Sequence, residues 1–413
     1  MTGSTIASAA LLGCIACRFA SAQHGSLDRI QFQPPVAIND YTEIKGASEP
    51  RLAVGPQGEV YAFFGAKDYR PSKPYGGYFL SFSTDGIAFT EPVEVGDVSF
   101  TGFPFSPGIA VAPAGEVVIV YKDVARVPRL RWAPPLSTSF SPALDFGEGT
   151  LMGPGPQPHV VVDGRGAIHL AWWAEPGEFA YRRSVWSPFE GPKSADSSAT
   201  AGSSSQSPLL PAFGPVTIRH VFSGATSLGL WPDGTAIASV ATPVTVGKMR
   251  HHVYELFRVE PSEYTGNFIP IFGGQAPFAY LVAYADENPR VLALLGHPDA
   301  REGPYFYDID LSAHEACVPR DLGFARDGHL ASYSNRPLAR GPDGEICLVY
   351  VDTFGHPSVH VSVSRDDGLT WGPPQRVAGP GNYPEIIVDP SGTIHILYLE
   401  GYQTIKYVRG SLN

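Results

Sequence analysis

One residue pattern recurs five times along this chain, and it restricts the fold more than any other feature. A proline opens a short apolar run, a turn ends in glycine, and a second apolar run follows. The turn glycines are Gly58, Gly115, Gly166, Gly344 and Gly392. Two residues beyond each stands Val60, Val117, Ile168, Ile346 or Ile394, and six residues beyond each an aromatic: Phe64, Tyr121, Trp172, Tyr350 or Tyr398. Even spacing places both on one face of an extended strand. The turns read Gly55-Pro56-Gln57-Gly58, Ala112-Pro113-Ala114-Gly115, Asp163-Gly164-Arg165-Gly166, Gly341-Pro342-Asp343-Gly344 and Asp389-Pro390-Ser391-Gly392. Proline and glycine there set turn dihedrals that other residues resist.

Both strands of each hairpin are almost continuously apolar, as in Val117-Val118-Ile119-Val120. A strand apolar on both faces lies between two neighbouring layers. Sheets stacked around an axis provide that, and repetition of one hairpin favours a radial array over a sandwich. The expected fold is therefore an all-β propeller. Units begin near Arg51, Ile109, Val160, Leu338 and Ile386, and two more are placed around Pro215–Val240 and Ala276–Leu295. That gives seven blades, with six as the alternative if the blurred region 209–303 holds one enlarged blade. The last unit shows only three strands, and Arg29 to Ile38 is a spare strand able to close the ring from the N-terminus. Ser194 to Ser207 is Ser/Ala-rich and reads as a flexible excursion between blades.

Composition agrees. Gly 45 and Pro 40 fit many short strands joined by tight turns, and 17% charged residues leave little for solvated helices. The formal net charge of -11 repels phosphate backbones, so nucleic acid is not an expected partner. One local run is basic, Lys248 to His252, and reads as a strand edge or loop. Residues 1–22 read as a signal peptide: Ile6 to Ala16 is apolar but too short to span a bilayer, and Ala20-Ser21-Ala22 supplies small residues for cleavage. Residues 23–413 then form a single propeller domain that is secreted or periplasmic, with a lipoprotein anchored through Cys14 as the alternative. No later run of 18 apolar residues indicates a membrane span. Cys317 and Cys347 remain after export; buried free thiols are favoured over a disulfide, since spacing shows no proximity. No Cys/His cluster has zinc spacing, and no cofactor is indicated, though acidic loops are compatible with calcium.

Ser364-Arg365-Asp366-Asp367-Gly368-Leu369-Thr370-Trp371 fits the Asp-box pattern Ser-x-Asp-x-Gly-x-Thr-Trp at every defined position. A shortened copy runs Ser83-Thr84-Asp85-Gly86-Ile87-Ala88-Phe89. The aspartate can accept turn N–H groups, glycine permits positive φ, and the aromatic packs back between sheets, so Ser364, Asp366, Gly368, Trp371, Ser83, Asp85 and Phe89 are structural. With these motifs and the hairpin repeat, the chain resembles the sialidase superfamily and its Asp-box propeller relatives, over about 48–192 and 330–413. That resemblance implies a glycosidase holding a sugar carboxylate with three arginines, beside a Tyr–Glu nucleophile pair and an acidic proton donor. The sequence departs from it. The family's first arginine position falls on Ser48, two residues before Pro50, and the other units carry Phe105, Pro156, Asn335 and Asn382. Serine cannot reproduce arginine's bidentate fork on carboxylate, so standard sialidase catalysis is not expected.

The repeat still locates a functional face. Loops leaving each second strand carry Asp68, Asp123, Glu175, Asp352 and Glu400, and residues preceding each first strand, Tyr383 among them, share that end. Carboxylates mixed with aromatics suit sugar hydroxyls and sugar faces. Asp68, Arg70, Asp123, Glu175, Asp352, Tyr383 and Glu400 are the ligand-binding candidates, and Asp68, Asp352 and His356 the candidates for any catalysis. The expected role is a monomeric module recognising glycan or an extracellular protein; a glycoside hydrolase with an altered site and a structural scaffold are the alternatives.

Overall fold

The structure is a computed structural model that describes residues 30–40, 44–45, 50–68, 76–97, 107–148, 152, 158–174, 178–184, 213–220, 226–230, 234–246, 249–259, 271–273, 279–285, 289–295, 305–310, 320–322, 336–352, 357–401 and 403–412. Among these residues every regular element is a strand, and no helix is long and apolar enough to cross a membrane.

The described strands make seven antiparallel sheets, each an up-and-down meander. The first contains Arg51–Val54, Val60–Asp68, Gly77–Ser83 and Val93–Asp97, with Ile44–Lys45 added beside the far end of the second strand. The second contains Gly108–Val111, Val117–Lys122, Pro128–Ala133 and Leu144–Asp145, and the third His159–Val162, Ile168–Ala174, Glu178–Arg183 and Thr217–His220. The fourth is Thr226–Leu230, Ala236–Val246, Met249–Val259 and Ile271–Gly273; the fifth is Ala279–Ala285, Pro289–Leu295, Tyr305–Asp310 and Arg320–Asp321. The sixth is Leu338–Arg340, Ile346–Asp352, Ser358–Ser364 and Gln375–Ala378. The seventh joins Asn382–Val388, Thr393–Glu400 and Thr404–Ser411 to Gln31–Phe32 and Val36–Ala37 from the other end of the chain.

The first strand of each sheet packs against the first strand of the next, and Asn382–Val388 returns to Arg51–Val54. This closes the all-β propeller around an axis. One expected boundary moves. Thr217–His220 completes the third sheet rather than opening a new unit at Pro215, because the long 185–212 insertion separates that strand from its own meander. The Ser194 to Ser207 segment and the candidate signal peptide lie outside the described residues.

The core lies between sheets, as doubly apolar strands require. Phe63 packs with Ile109 and Tyr121 of the second sheet, while its neighbour Phe64 packs with Leu397 and Tyr407 of the seventh. Trp172 and Trp173 divide the same way: Trp172 joins Val120 and Leu130 of the second sheet, and Trp173 joins Ala236 and Ala238 of the fourth. Cys347 is a free thiol buried between the sixth and seventh sheets, and burial pushes its pKa up to about 12. Cys317 lies outside the described residues.

The turns between first and second strands use two chemical solutions. In the third and seventh sheets the turn opens with aspartate. Asp163 Oδ1 accepts the N–H of Arg165 at 2.9 Å and of Ala167 at 2.8 Å, and Asp389 Oδ1 accepts those of Ser391 at 2.8 Å and Thr393 at 2.9 Å. In the first and sixth sheets the turn opens with Gly55 or Gly341, and a glutamate, Glu59 or Glu345, follows the turn glycine. Glu59 Oε2 folds back to accept Gln57 N–H at 3.0 Å. A Cβ at position 55 would lie 2.3 Å from that oxygen, and one at 341 would lie 2.6 Å from Glu345 Oε2. The carboxylate comes from the start of the turn or from beyond its end; in the first and sixth sheets the start is glycine, while in the second Ala112 opens a turn followed by Glu116.

A buried triad repeats in the two aspartate sheets. His169 and His395, each three residues past the turn glycine, place Nδ1 2.7 Å from the hydroxyls of Tyr181 and Tyr407. Their Nε2 atoms face Asp163 at 3.4 Å and Asp389 at 3.1 Å. A carboxylate beside Nε2 favours the proton there, so the tyrosine hydroxyl donates to Nδ1. Burial holds both imidazoles neutral and brings His169 down to about 4, with Arg183 acting in the same direction.

Both Ser-x-Asp turns act as clasps. Asp366 Oδ1 accepts Thr370 N–H at 2.8 Å while Ser364 Oγ accepts Gly368 N–H at 2.8 Å. Asp85 Oδ1 accepts Ile87 N–H at 2.7 Å, and Phe89 meets Tyr407 of the seventh sheet edge-on with centroids 5.2 Å apart.

Candidate functional site

The seven inner strands surround a channel, and within it lies a cavity of about 300 Å³. Its wall combines Leu, Ile and Val of the inner strands with a few polar residues. Charge enters beside the unit-opening prolines. Arg51 follows Pro50, Arg336 precedes Pro337, and Glu385 follows Pro384. All three belong to the strand-start end of their sheets.

They form one network across four sheets. Arg51 Nη1 donates to Glu385 Oε1 at 2.8 Å, and the Leu52 N–H donates to Glu385 Oε2 at 2.9 Å. Arg51 Nε donates to the Pro107 carbonyl at 2.7 Å, and Arg336 Nη1 to the Leu52 carbonyl at 3.3 Å. The Arg51 and Glu385 side chains are only 7% and 4% exposed, so this ion pair is largely removed from water. Arg336 remains partly open to the cavity; burial draws its pKa down against the attraction of Glu385. Arg340 lines the cavity nearer the turn end, where its Nη2 lies 3.9 Å from Asp367.

A bulge aims Glu385. Pairing of the seventh sheet's first two strands shifts between Asn382 and Glu385, and Tyr383 there takes φ 52. A non-glycine residue at positive φ is strained and persists only where its surroundings hold it. Tyr383 is partly buried against the core between the first and seventh sheets.

The acidic strand ends divide by environment. Asp123 caps its own turn, accepting the N–H groups of Ala125 at 2.8 Å and Val127 at 2.9 Å, and pairs with Arg129 at 2.7 Å. Glu400 lies 3.4 Å from Lys406 across its hairpin. Asp352 closes its strand opposite Ser358, where its charge acts on Tyr350 and His360. Asp68 closes its strand opposite Ile44. Arg70, Glu175 and His356 lie outside the described residues. The register thus brings Asp68, Asp123, Asp352, Tyr383 and Glu400 to one end of the propeller, while among the described residues only Glu385 supplies a carboxylate to the cavity wall. Sequence reasoning missed Arg51, Arg336 and Glu385 as site residues. The available signal was a charge beside the opening proline of an otherwise apolar strand. Among the described residues, no group of three or more His, Cys, Asp or Glu is placed to hold a metal ion.

No family model and no curated protein matches the sequence. Solved structures do. The chain is similar to an ulvan lyase of a polysaccharide lyase family at 11% identity and TM-score 0.57, covering 91% of this chain and 95% of that one. The same kind of lyase bound to -[GlcA(1-4)Rha3S]- gives a TM-score of 0.54 at 12% identity, over 91% of this chain and 95% of that one. The β-propeller domain of the Trilobed protease from Pyrococcus furiosus gives a TM-score of 0.52 at 9% identity, covering 90% of this chain and 97% of that domain. At such identities the likeness establishes the propeller fold alone.

Proposed function

We propose that the chain is an exported, carbohydrate-recognising propeller that seats its ligand at the strand-start end of the channel and does not perform standard sialidase cleavage. The observation that carries this reading is the state of Glu385. It is the carboxylate of the cavity wall among the described residues, and both its oxygens are engaged, one by Arg51 and one by the Leu52 amide. A carboxylate held in this way by Arg51 and the Leu52 amide positions those donors. Arg336, partly open to the cavity, is the donor offered to a ligand, and Tyr383 at the bulge offers a ring for a sugar face. Glycosidic cleavage by paired carboxylates needs two acids at roughly 5–9.5 Å, and Asp123 is already committed to its own turn. The similarity to a polysaccharide lyase supports carbohydrate as the ligand class.

The test is a glycan-array screen run beside panels for glycoside and lyase turnover. Binding that is lost in Arg336→Ala at an unchanged melting temperature supports the reading. Turnover abolished by Asp68→Ala would replace it with an altered glycoside hydrolase. An extracellular protein captured without glycan dependence, or no ligand of any kind, would replace it with a protein-recognition or scaffold role.

A further inference from the structure

Arg51 keeps one donor uncommitted. Its Nη1 is held by Glu385 and its Nε by the Pro107 carbonyl, while Nη2 is buried with no hydrogen-bond partner. The side chain is 7% exposed and lines the channel cavity. A buried N–H group without a partner is rare in a folded protein and calls for an acceptor.

Arg336 faces the same cavity. Its Nη1 reaches the Leu52 carbonyl at 3.3 Å, and its Nε and Nη2 are uncommitted among the described residues. It feels both the attraction of Glu385 and the repulsion of Arg51, so the two guanidiniums share one electrostatic environment. Glu385 already gives one oxygen to Arg51 and the other to the Leu52 amide. Two cations therefore face one carboxylate at this end, and a positive charge is left over inside a chain whose net charge is -11. Arg340, also on the wall, lies towards the turn end beside Asp367. A guanidinium does not shed its proton to relieve burial, so the excess calls for an anion.

The free donors indicate which anion fits. A carboxylate is held best by the flat fork of one guanidinium. Arg51 has no such fork left, since only Nη2 is free. Its one nitrogen and the two of Arg336 approach from different sheets. Three nitrogens arriving from two directions suit a group with three terminal oxygens in a tetrahedral array. A sulfate ester has those oxygens and a single negative charge, which matches the excess; a phosphate monoester carries nearly two. Leu228, Leu230 and Ile386 supply apolar wall in the same cavity of about 300 Å³, which gives a sugar face a place beside the charged group.

We propose that Arg51 Nη2 and Arg336 form a subsite for a sulfate ester of a sulfated glycan at the strand-start end of the channel, with Glu385 as the strut that aims Arg51. The assignment to a glycan rests on the reading of the channel as a carbohydrate site; the need for an anion does not.

The test applies the full chain to a glycan array in which each sulfated glycan stands beside its unsulfated parent, and titrates sodium sulfate calorimetrically. The expected result is that sulfated members bind at least about tenfold more tightly than their parents and that sodium sulfate competes. Arg336→Met should abolish the preference without lowering the melting temperature, because it removes an unbalanced buried charge. Arg336→Lys, which keeps the charge and loses the fork, should retain part of it. Glycans bound through Arg336 with no preference for sulfate would overturn the subsite and leave the carbohydrate channel standing. Sodium sulfate bound through Arg336 with no glycan bound would support the subsite, with free sulfate as its occupant, and remove the carbohydrate reading. A preference for uronates, a sulfate preference unchanged in Arg336→Met, or no binding of sulfate in either form would each overturn the proposal.

Discussion

Arg51 and Glu385 meet at 2.8 Å across the seam where the seventh sheet returns to the first. They are 334 residues apart in sequence, yet each follows the proline that opens its unit. Removing one partner strands a buried charge. Glu385→Ala or Arg51→Ala should cost about 3–5 kcal/mol, read from urea unfolding, whereas the apolar pair Arg51→Met with Glu385→Leu should recover most of that loss. Equal instability in the single and paired variants would mean that the intact ion pair itself supplies the stability, not that its loss strands a buried charge.

The histidine triads predict an acid-labile fold. Each imidazole is neutral and buried when folded, with Asp163, Tyr181 and Arg183 around His169 and Asp389, Tyr407 and Arg409 around His395. The folded pKa of His169, about 4, lies below its unfolded value near 6.5. Between these limits the unfolded chain binds the extra proton. The stability is complete above pH 6.5 and is lost as pH falls towards 4, by about 3 kcal/mol for His169, with His395 acting in the same direction. Asp163 and Asp389, also held low, give way only at still lower pH. Melting temperature recorded from pH 7.5 down to 4 should fall steeply, and His169→Gln with His395→Gln should flatten that slope while lowering the plateau.

The two turn solutions should be interchangeable as pairs and not as single residues. Gly55→Ala puts a methyl group where Glu59 Oε2 sits, so the flexible carboxylate must swing away and release the Gln57 N–H, at a cost of about 1 kcal/mol. Gly55→Asp combined with Glu59→Thr reproduces the Asp-Pro-x-Gly-Thr turn found at Asp389 and should regain most of the loss. Thermal denaturation of the three variants decides this; a paired variant no better than Gly55→Ala would refute the linkage.

Asn39 ties the N-terminal segment to the last strand, donating to the Gln403 carbonyl at 3.0 Å and accepting Ile405 N–H at 2.6 Å. Asn39→Ala should cost about 2 kcal/mol and raise hydrogen exchange in Thr404–Ser411 before it affects other sheets.

Much of the fold could be read from the residues because a doubly apolar hairpin with a Pro–Gly turn has few places to go. The repeat placed Val60, Phe64 and Trp172 between sheets, where they lie. The spare segment near Ile38 pairs as expected with the final strand. The third sheet's edge strand was hidden because a long insertion parts it from its meander. The site was harder to read. An acid at a strand end looks the same in sequence whether it meets a ligand or caps its turn, and Asp123 does the latter. Arg51 stands one residue past its proline, off the family's arginine position, and at the channel it is held by Glu385 on the facing strand, beside the bulge at Tyr383. Arg51 and Glu385 are near one another only through ring closure, which no local pattern encodes.

The seventh sheet is assembled from both ends of the polypeptide, Gln31–Phe32 lying against Gly410 and Ser411. During synthesis the early strand leaves the ribosome long before its partner exists, and its open edge waits unpaired while the sheets between are made. Ring closure therefore has to wait for the final strand, and it joins Gln31 to Ser411. A ribosome that stalls late would release an almost complete but unclosed ring, with adhesive edges at both ends.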